Sequence, residues 1–102
     1  MGLLQENGPF YLIHEGDQAQ VNPYSWTNAA SMLYIEQPVG VGFTTGNANA
    51  QSEEDVAEQM GGFLDNFFDT FAELKGKNLW IAGESYAGRY SQYDFLQPGF
   101  NC

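Results

Sequence analysis

Basic residues are scarce in this chain of 102 residues. Three lysines and arginines stand against thirteen aspartates and glutamates, which gives a formal net charge of -10 at pH 7. A protein with this charge repels the phosphate backbone of nucleic acids and the anionic surface of membranes. We therefore expect neither nucleic acid nor a membrane among its partners.

Cysteine pairs and long apolar runs are also missing. The single cysteine, Cys102, has no partner for a disulfide within the chain, so cysteine usage assigns no redox compartment. The apolar runs are far too short to cross a bilayer, and residues 1–4 lack the basic start and apolar stretch of a secretion signal. We expect no metal ion and no cofactor, and the sequence itself assigns neither a compartment nor an oligomeric state.

The remaining composition favours a packed domain. Hydrophobic residues make up 43% of the chain and aromatic residues 16%, and no repeat or low-complexity tract occurs. A chain of this length forms one small domain at most, or a part of a larger one. A disordered or fibrous protein is excluded by the same composition.

A serine among small residues is the most informative local pattern. The apolar run at residues 79–82 predicts a buried strand, which leads directly into Gly83, Ser85 and Ala87. A nucleophile elbow needs small residues on both sides of its serine, because the chain turns sharply there and holds the serine at strained backbone angles. The strict pattern has glycine where this chain has Ala87, so spacing alone fits an ordinary turn with a surface serine equally well.

The strongest secondary-structure signal lies upstream of the elbow. Ser52 is a helix cap that precedes three acidic residues, and apolar residues then recur at spacings of three and four. We predict a helix that runs from this cap to about Lys75 and is followed by Gly76. We expect its aromatic stripe to be core, and Gly61 and Gly62 to lie against a closely packed strand.

The order of elements predicts the α/β class. Strands are expected at residues 8–15 and 31–36, and Pro38 stops the second of them before a flexible loop of about ten residues. A strand-loop-helix-strand-elbow-helix unit of an open parallel sheet follows, with Ser85 at the carboxyl end of its strand. His14 precedes the serine, whereas elbow enzymes place their histidine after it, so we interpret His14 as an ordinary strand residue.

Four segments follow one another in a fixed order and spacing: residues 6–10 (ENGPF), 22–26 (NPYSW), 33–43 (LYIEQPVGVGF) and 81–88 (IAGESYAG). Together they resemble the serine carboxypeptidases of the α/β-hydrolase fold. The resemblance implies that residues 1–90 form part of such a domain, with a partial α/β-hydrolase sheet. Residues 91–102 depart from the family pattern and are interpreted as a divergent tail.

What the resemblance implies is removal of the C-terminal residue of a peptide or protein substrate at acid pH, in a vacuolar, lysosomal or secreted setting. Ser85 corresponds to the nucleophile that forms the acyl-enzyme, and the backbone N–H of Tyr86 to a donor of the oxyanion hole. Glu84 and Glu6 correspond to two glutamates that bind the substrate's terminal carboxylate. Three carboxyl groups in one pocket cannot all be ionised cheaply, so we expect at least one glutamate of the pair to hold a proton.

The other catalytic groups of the family are not found in this sequence. The family's aspartate and histidine follow the serine at a distance, whereas here Asp94 is too near and no histidine follows Tyr90. The Gly-rich segment that supplies a second oxyanion donor would precede Met1. We therefore expect a segment with little activity alone. A non-catalytic peptide-binding remnant that uses Glu6 and Glu84, and an esterase or acyltransferase of the same fold, stay open as alternatives.

Overall fold

The computed structural model describes residues 2–12, 14, 16 and 18–89. The chain divides into two compact units, Met1–Ile35 and Glu36–Cys102. The predicted tail at residues 91–102 and the expected continuation of a helix after the elbow lie outside the described residues. No helix in the described part of the chain combines the length and the apolarity that crossing a bilayer requires.

The first unit contains short elements around a polar centre. A π-helical turn, Gly2–Glu6, precedes strands β1 (Phe10–Tyr11) and β2 (Gln20–Val21), and a 3-10 turn follows at Trp26–Asn28. The two strands pair in antiparallel orientation, with Phe10 opposite Val21 and Tyr11 opposite Gln20. Asn22 and Ser25, two residues of the NPYSW segment, are buried.

The buried side chain of Asn22 joins the two halves of this unit. Its Nδ2 donates to the carbonyl oxygen of Gly8 at 2.8 Å and to that of Glu6 at 3.4 Å, while its Oδ1 accepts from the backbone N–H of Tyr24 at 2.9 Å. Ser25 Oγ adds a hydrogen bond to the neighbouring carbonyl of Asn7 at 3.0 Å. The NPYSW segment therefore fixes the backbone of the ENGPF segment through buried hydrogen bonds, which are costly to leave unmade.

The second unit is built on helix α1, Glu53–Thr70. Its start is confirmed as predicted: Ser52 Oγ accepts from the Asp55 N–H at 3.2 Å, and Asp55 Oδ2 accepts from the Ser52 N–H at 3.1 Å. This reciprocal pair satisfies two backbone donors that the first turn would otherwise leave without acceptors.

The end of α1 comes earlier than predicted. Phe71 leaves the helical region, with φ −111° and ψ 63°, and a 3-10 turn at Ala72–Leu74 replaces the last turn expected up to Lys75. Gly76 follows this turn at φ +77°, a left-handed angle that glycine adopts without a steric penalty. The predicted role of Gly76 beyond the helical segment is therefore correct, although the α-helix itself stops earlier.

The core expectation for the aromatic stripe holds only in part. The buried hydrophobic residues of the described chain are Val56, Ala57 and Leu64, whereas Phe63 and Phe71 remain 41% and 44% exposed. The phenylalanines contact one another instead: the ring centroid of Phe67 lies 4.8 Å from that of Phe71 and 6.0 Å from that of Phe63.

The strand that was expected to pack on Gly61 and Gly62 is not present among the described residues. A Cβ atom added at either glycine would meet no atom within 4 Å. The prediction of close packing there is therefore wrong for the described structure, because no other element packs against these two glycines.

The predicted parallel sheet also differs from what is seen. Within the described residues the single sheet is the antiparallel pair β1 and β2, and β2 was not predicted. Residues 31–36 and 79–82 form no ladder, and the first predicted strand shrinks to Phe10–Tyr11, with His14 exposed outside it. The physical reason is that a strand is defined by its hydrogen-bonded neighbours, which an apolar run alone does not supply.

The loop after the second predicted strand has a defined shape. Glu36 Oε2 accepts from the Phe43 N–H at 2.6 Å, and Thr44 Oγ1 donates to the carbonyl of Val41 at 2.7 Å. Gly42 has φ +58°, and a Cβ atom there would overlap the carboxylate of Glu36. The left-handed φ of this turn therefore favours glycine at position 42.

The capping hydrogen bonds predict the effect of Ser52→Ala. The Asp55 N–H loses its acceptor, and we expect the free energy of unfolding to fall by about 1 kcal/mol. Urea unfolding of the chain, followed by circular dichroism at 222 nm, measures the change. Ser31→Ala, at an exposed serine outside the helix, is the control, and equal stability of the two variants would contradict the role of the cap.

Candidate active site

Ser85 has the backbone conformation that a nucleophile elbow requires. Within the described residues it is the one non-glycine residue with a positive φ, 57°. A left-handed conformation costs a residue with a Cβ atom roughly 1–2 kcal/mol and persists only where the surrounding structure holds it. The strained angle predicted from the pattern of small residues is therefore present at the expected serine.

A tight helical turn follows the serine at once. The N–H of Ala87 donates to the carbonyl of Glu84 at 3.1 Å, and the N–H of Gly88 donates to that of Ser85 at 3.1 Å. A third bond of the same kind joins the Arg89 N–H to the Tyr86 carbonyl at 3.0 Å, and residues 87–89 are helical. The chain thus enters a helical turn directly after the serine, which lies at the corner.

Gly83 is required by the sharpness of this corner. A Cβ atom at Gly83 would lie 2.8 Å from the carbonyl oxygen of Ala87 and 3.2 Å from its methyl group. A Cβ atom at Gly88 would meet nothing within 4 Å. The close approach is therefore between positions 83 and 87, and the methyl group of Ala87 fits there because its partner is a glycine.

The side chains of the elbow are accessible to a substrate. Ser85 and its neighbour Glu84 are both exposed, and Tyr86 is 58% exposed. The hydroxyl group of Tyr86 donates to Glu53 Oε1 at 2.7 Å, which ties the elbow to the first turn of α1. No local sequence pattern predicts this contact, because the two residues are 33 positions apart.

Glu6 lies at the end of the π-helical turn of the first unit, with an exposed side chain. Its backbone is held through the carbonyl that accepts from Asn22 Nδ2. Glu84 belongs to the second unit, and the expected pairing of the two carboxylates stays a prediction. The roles of Ser85 and of the Tyr86 N–H in catalysis likewise stay predictions, and in the described residues no group of three or more metal-ligating side chains is arranged for an ion.

Comparison with known proteins decides the family. The model of the serine carboxypeptidase family matches residues 1–93. The chain belongs to the serine carboxypeptidase family. The resemblance drawn from the four segments is thereby confirmed, and the family implies an α/β-hydrolase fold, of which the described chain shows two strands and helices.

Individual serine carboxypeptidase relatives are similar over most of this chain. A probable serine carboxypeptidase of Arthroderma benhamiae is 47% identical over an alignment that covers 90% of this chain and 19% of the relative. A carboxypeptidase Y homolog of the same organism is 45% identical, with coverages of 91% and 18%, and the lysosomal protective protein of Mus musculus is 43% identical, with 87% and 19%. The chain thus spans about a fifth of the length of the curated relatives it matches.

The contact between positions 83 and 87 predicts opposite effects for two glycine substitutions. Gly83→Ala places a methyl group against the Ala87 carbonyl, so we expect the turn to open and the amides of residues 87–89 to exchange at least about tenfold faster. Gly88→Ala adds a methyl group in open space and favours the helix by up to about 1 kcal/mol, so exchange should slow or stay unchanged. Hydrogen exchange followed by NMR distinguishes these outcomes, and equal exchange in both variants would refute the account of the corner.

The strain at position 85 predicts that glycine is more stable there than alanine. Ser85→Gly relieves roughly 1–2 kcal/mol of left-handed strain and loses about 0.4–1 kcal/mol to the greater freedom of the unfolded chain. We therefore expect the glycine variant to exceed Ser85→Ala by about 0.5–1 kcal/mol in the free energy of unfolding, measured in urea. A glycine variant less stable than the alanine variant would show that position 85 carries no strain.

Proposed function

We propose that this chain is the nucleophile-bearing segment of a serine carboxypeptidase, which releases the C-terminal residue of a peptide through an acyl-enzyme on Ser85. The observation that carries the proposal is the positive φ of Ser85, at the serine of the family's elbow segment. Strain of this kind at an exposed serine has no structural benefit of its own, and active sites are where it is commonly retained.

In the proposed reaction, Ser85 Oγ attacks the scissile carbonyl carbon while a general base takes the hydroxyl proton. The carbonyl oxygen becomes an oxyanion that accepts a hydrogen bond from the Tyr86 N–H. The C–N bond then breaks, the amino group of the leaving residue takes a proton, and water hydrolyses the acyl-enzyme. No histidine follows Ser85 in this sequence, so the base comes from a part of the enzyme outside residues 86–102.

Selection for the end of a peptide is assigned to Glu84 and Glu6. A protonated carboxylic acid donates a hydrogen bond to the free carboxylate of the substrate, whereas an ionised one repels it. The setting that goes with this proposal is vacuolar, lysosomal or secreted. One relative carries the name lysosomal protective protein, which supports the same setting.

Exposed apolar side chains support a place within a larger enzyme. Phe43 is 95% exposed and Trp80, just before the elbow, is 87% exposed. Single exposed apolar side chains are common on monomeric proteins, so the support comes from their number in the described chain beside so few buried ones. The buried hydrophobic residues of the described chain, by contrast, are three side chains of one helix.

Substitution of the nucleophile tests the proposal in a full-length enzyme that carries this segment. Ser85→Ala removes the attacking oxygen, so we expect kcat for release of the C-terminal residue from an N-blocked dipeptide to fall on the order of 10⁶-fold. Ser31→Ala, at an exposed serine outside the elbow, should leave kcat within about twofold.

Three results would favour other functions. Activity retained in Ser85→Ala would remove the proposed nucleophile altogether. Transfer of an acyl group to an added alcohol, with no release of amino acids from peptides, would identify an acyltransferase or esterase. Binding of peptides with free C-termini by an enzyme that never turns them over would identify a non-catalytic binding protein.

A further inference from the structure

The hydrogen bond between Tyr86 and Glu53 lies within the second unit and joins the proposed oxyanion donor to helix α1. The phenol donates to Glu53 Oε1 at 2.7 Å. A hydrogen bond from a neutral hydroxyl group to a carboxylate is among the stronger kinds in proteins. This side-chain contact therefore restrains the residue that follows the nucleophile.

Glu53 occupies the start of helix α1, a position that suits an anchor for the Tyr86 side chain. It is the first residue of α1, directly after the Ser52 cap, and the positive end of the helix dipole favours its negative charge. Its second oxygen, Oε2, is buried and has no hydrogen-bond partner among the described residues. The Tyr86 hydroxyl group thus supplies a hydrogen bond to a carboxylate whose other oxygen is buried.

The peptide group between Ser85 and Tyr86 is restrained at both of its ends. Its carbonyl oxygen accepts from the Gly88 N–H at 3.1 Å. On the other side, the Tyr86 side chain is tied to Glu53. Fixing both ends sets the direction of the Tyr86 N–H, which is the group that the proposed mechanism aims at the oxyanion.

We propose that Glu53 is a positioning residue for the reaction: through the Tyr86 hydroxyl group it orients the N–H that stabilises the oxyanion. The inference rests on the proposed function. An oxyanion donor stabilises the transition state more than the bound substrate, so loss of the restraint lowers kcat and leaves KM nearly unchanged.

Four substitutions in a full-length enzyme that carries this segment test the inference. Tyr86→Phe and Glu53→Ala each remove the hydrogen bond, and we expect kcat to fall about tenfold with KM within about twofold. Glu53→Gln keeps an acceptor oxygen and should recover most of kcat. The double variant Tyr86→Phe with Glu53→Ala should be no slower than either single variant, because both remove one interaction.

Glu54→Ala is the matched control. Glu54 is the next acid in the same turn of α1 and is exposed, so its removal takes away the same negative charge near the positive end of the helix dipole. We expect kcat within about twofold of the wild type. If Glu53 served the stability of the helix alone, Glu53→Ala and Glu54→Ala would lower Tm differently while both kept the wild-type kcat, and that result would overturn the inference.

A second measurement separates failure of this inference from failure of the proposed function. In the 102-residue chain, Tyr86→Phe and Glu53→Ala should each shift the NMR signal of the Tyr86 amide, and Glu54→Ala should leave it unchanged. If the wild-type enzyme has no activity, the proposed function is contradicted. The amide signals then still show whether the contact between Glu53 and Tyr86 restrains the backbone at residue 86. The inference is overturned if the amide signal of residue 86 does not shift in these variants. It is also overturned if the enzyme is active and its kcat is unchanged by both Glu53→Ala and Tyr86→Phe.

Discussion

The close approach of positions 83 and 87 is the constraint on which the elbow depends. With no Cβ atom at Gly83, the carbonyl and methyl groups of Ala87 pack against its backbone, and the chain turns around Ser85. The turn leaves Ser85 exposed at φ 57°. A strain of roughly 1–2 kcal/mol is offset by the helical hydrogen bonds that follow and by the contact of Tyr86 with α1. The reactive geometry is thus a consequence of packing between small residues.

In the first unit, buried polar side chains fix the backbone through hydrogen bonds. Asn22 and Ser25 are buried, and their side chains bind backbone groups of residues 6–8 and Tyr24. The side chain of Glu6 is exposed, while its backbone carbonyl accepts a hydrogen bond from Asn22. Asn22 and Ser25 thus support the backbone of residues 6–8 through hydrogen bonds.

The parts of this structure that local chemistry determines could be predicted from the sequence, whereas parts that depend on distant neighbours could not. Ser52 with its acidic residues located the start of α1, and the small residues around Ser85 located the strained corner. The predicted strands at residues 31–36 and 79–82 are not seen in the described chain, because a strand needs partners that its own composition does not provide. The bond between Tyr86 and Glu53 escaped prediction for the same reason, since it joins residues that only the folded chain brings together.

The most direct test of the central claim is to label the nucleophile of a full-length enzyme that carries this segment. A fluorophosphonate reacts with a serine that a neighbouring base activates, and mass spectrometry of the digested protein locates the adduct. We expect one adduct per molecule, on Ser85, with competition by an N-blocked dipeptide substrate. An adduct on a different serine, or an active enzyme with no adduct on Ser85, would contradict the claim that this strained serine carries the chemistry.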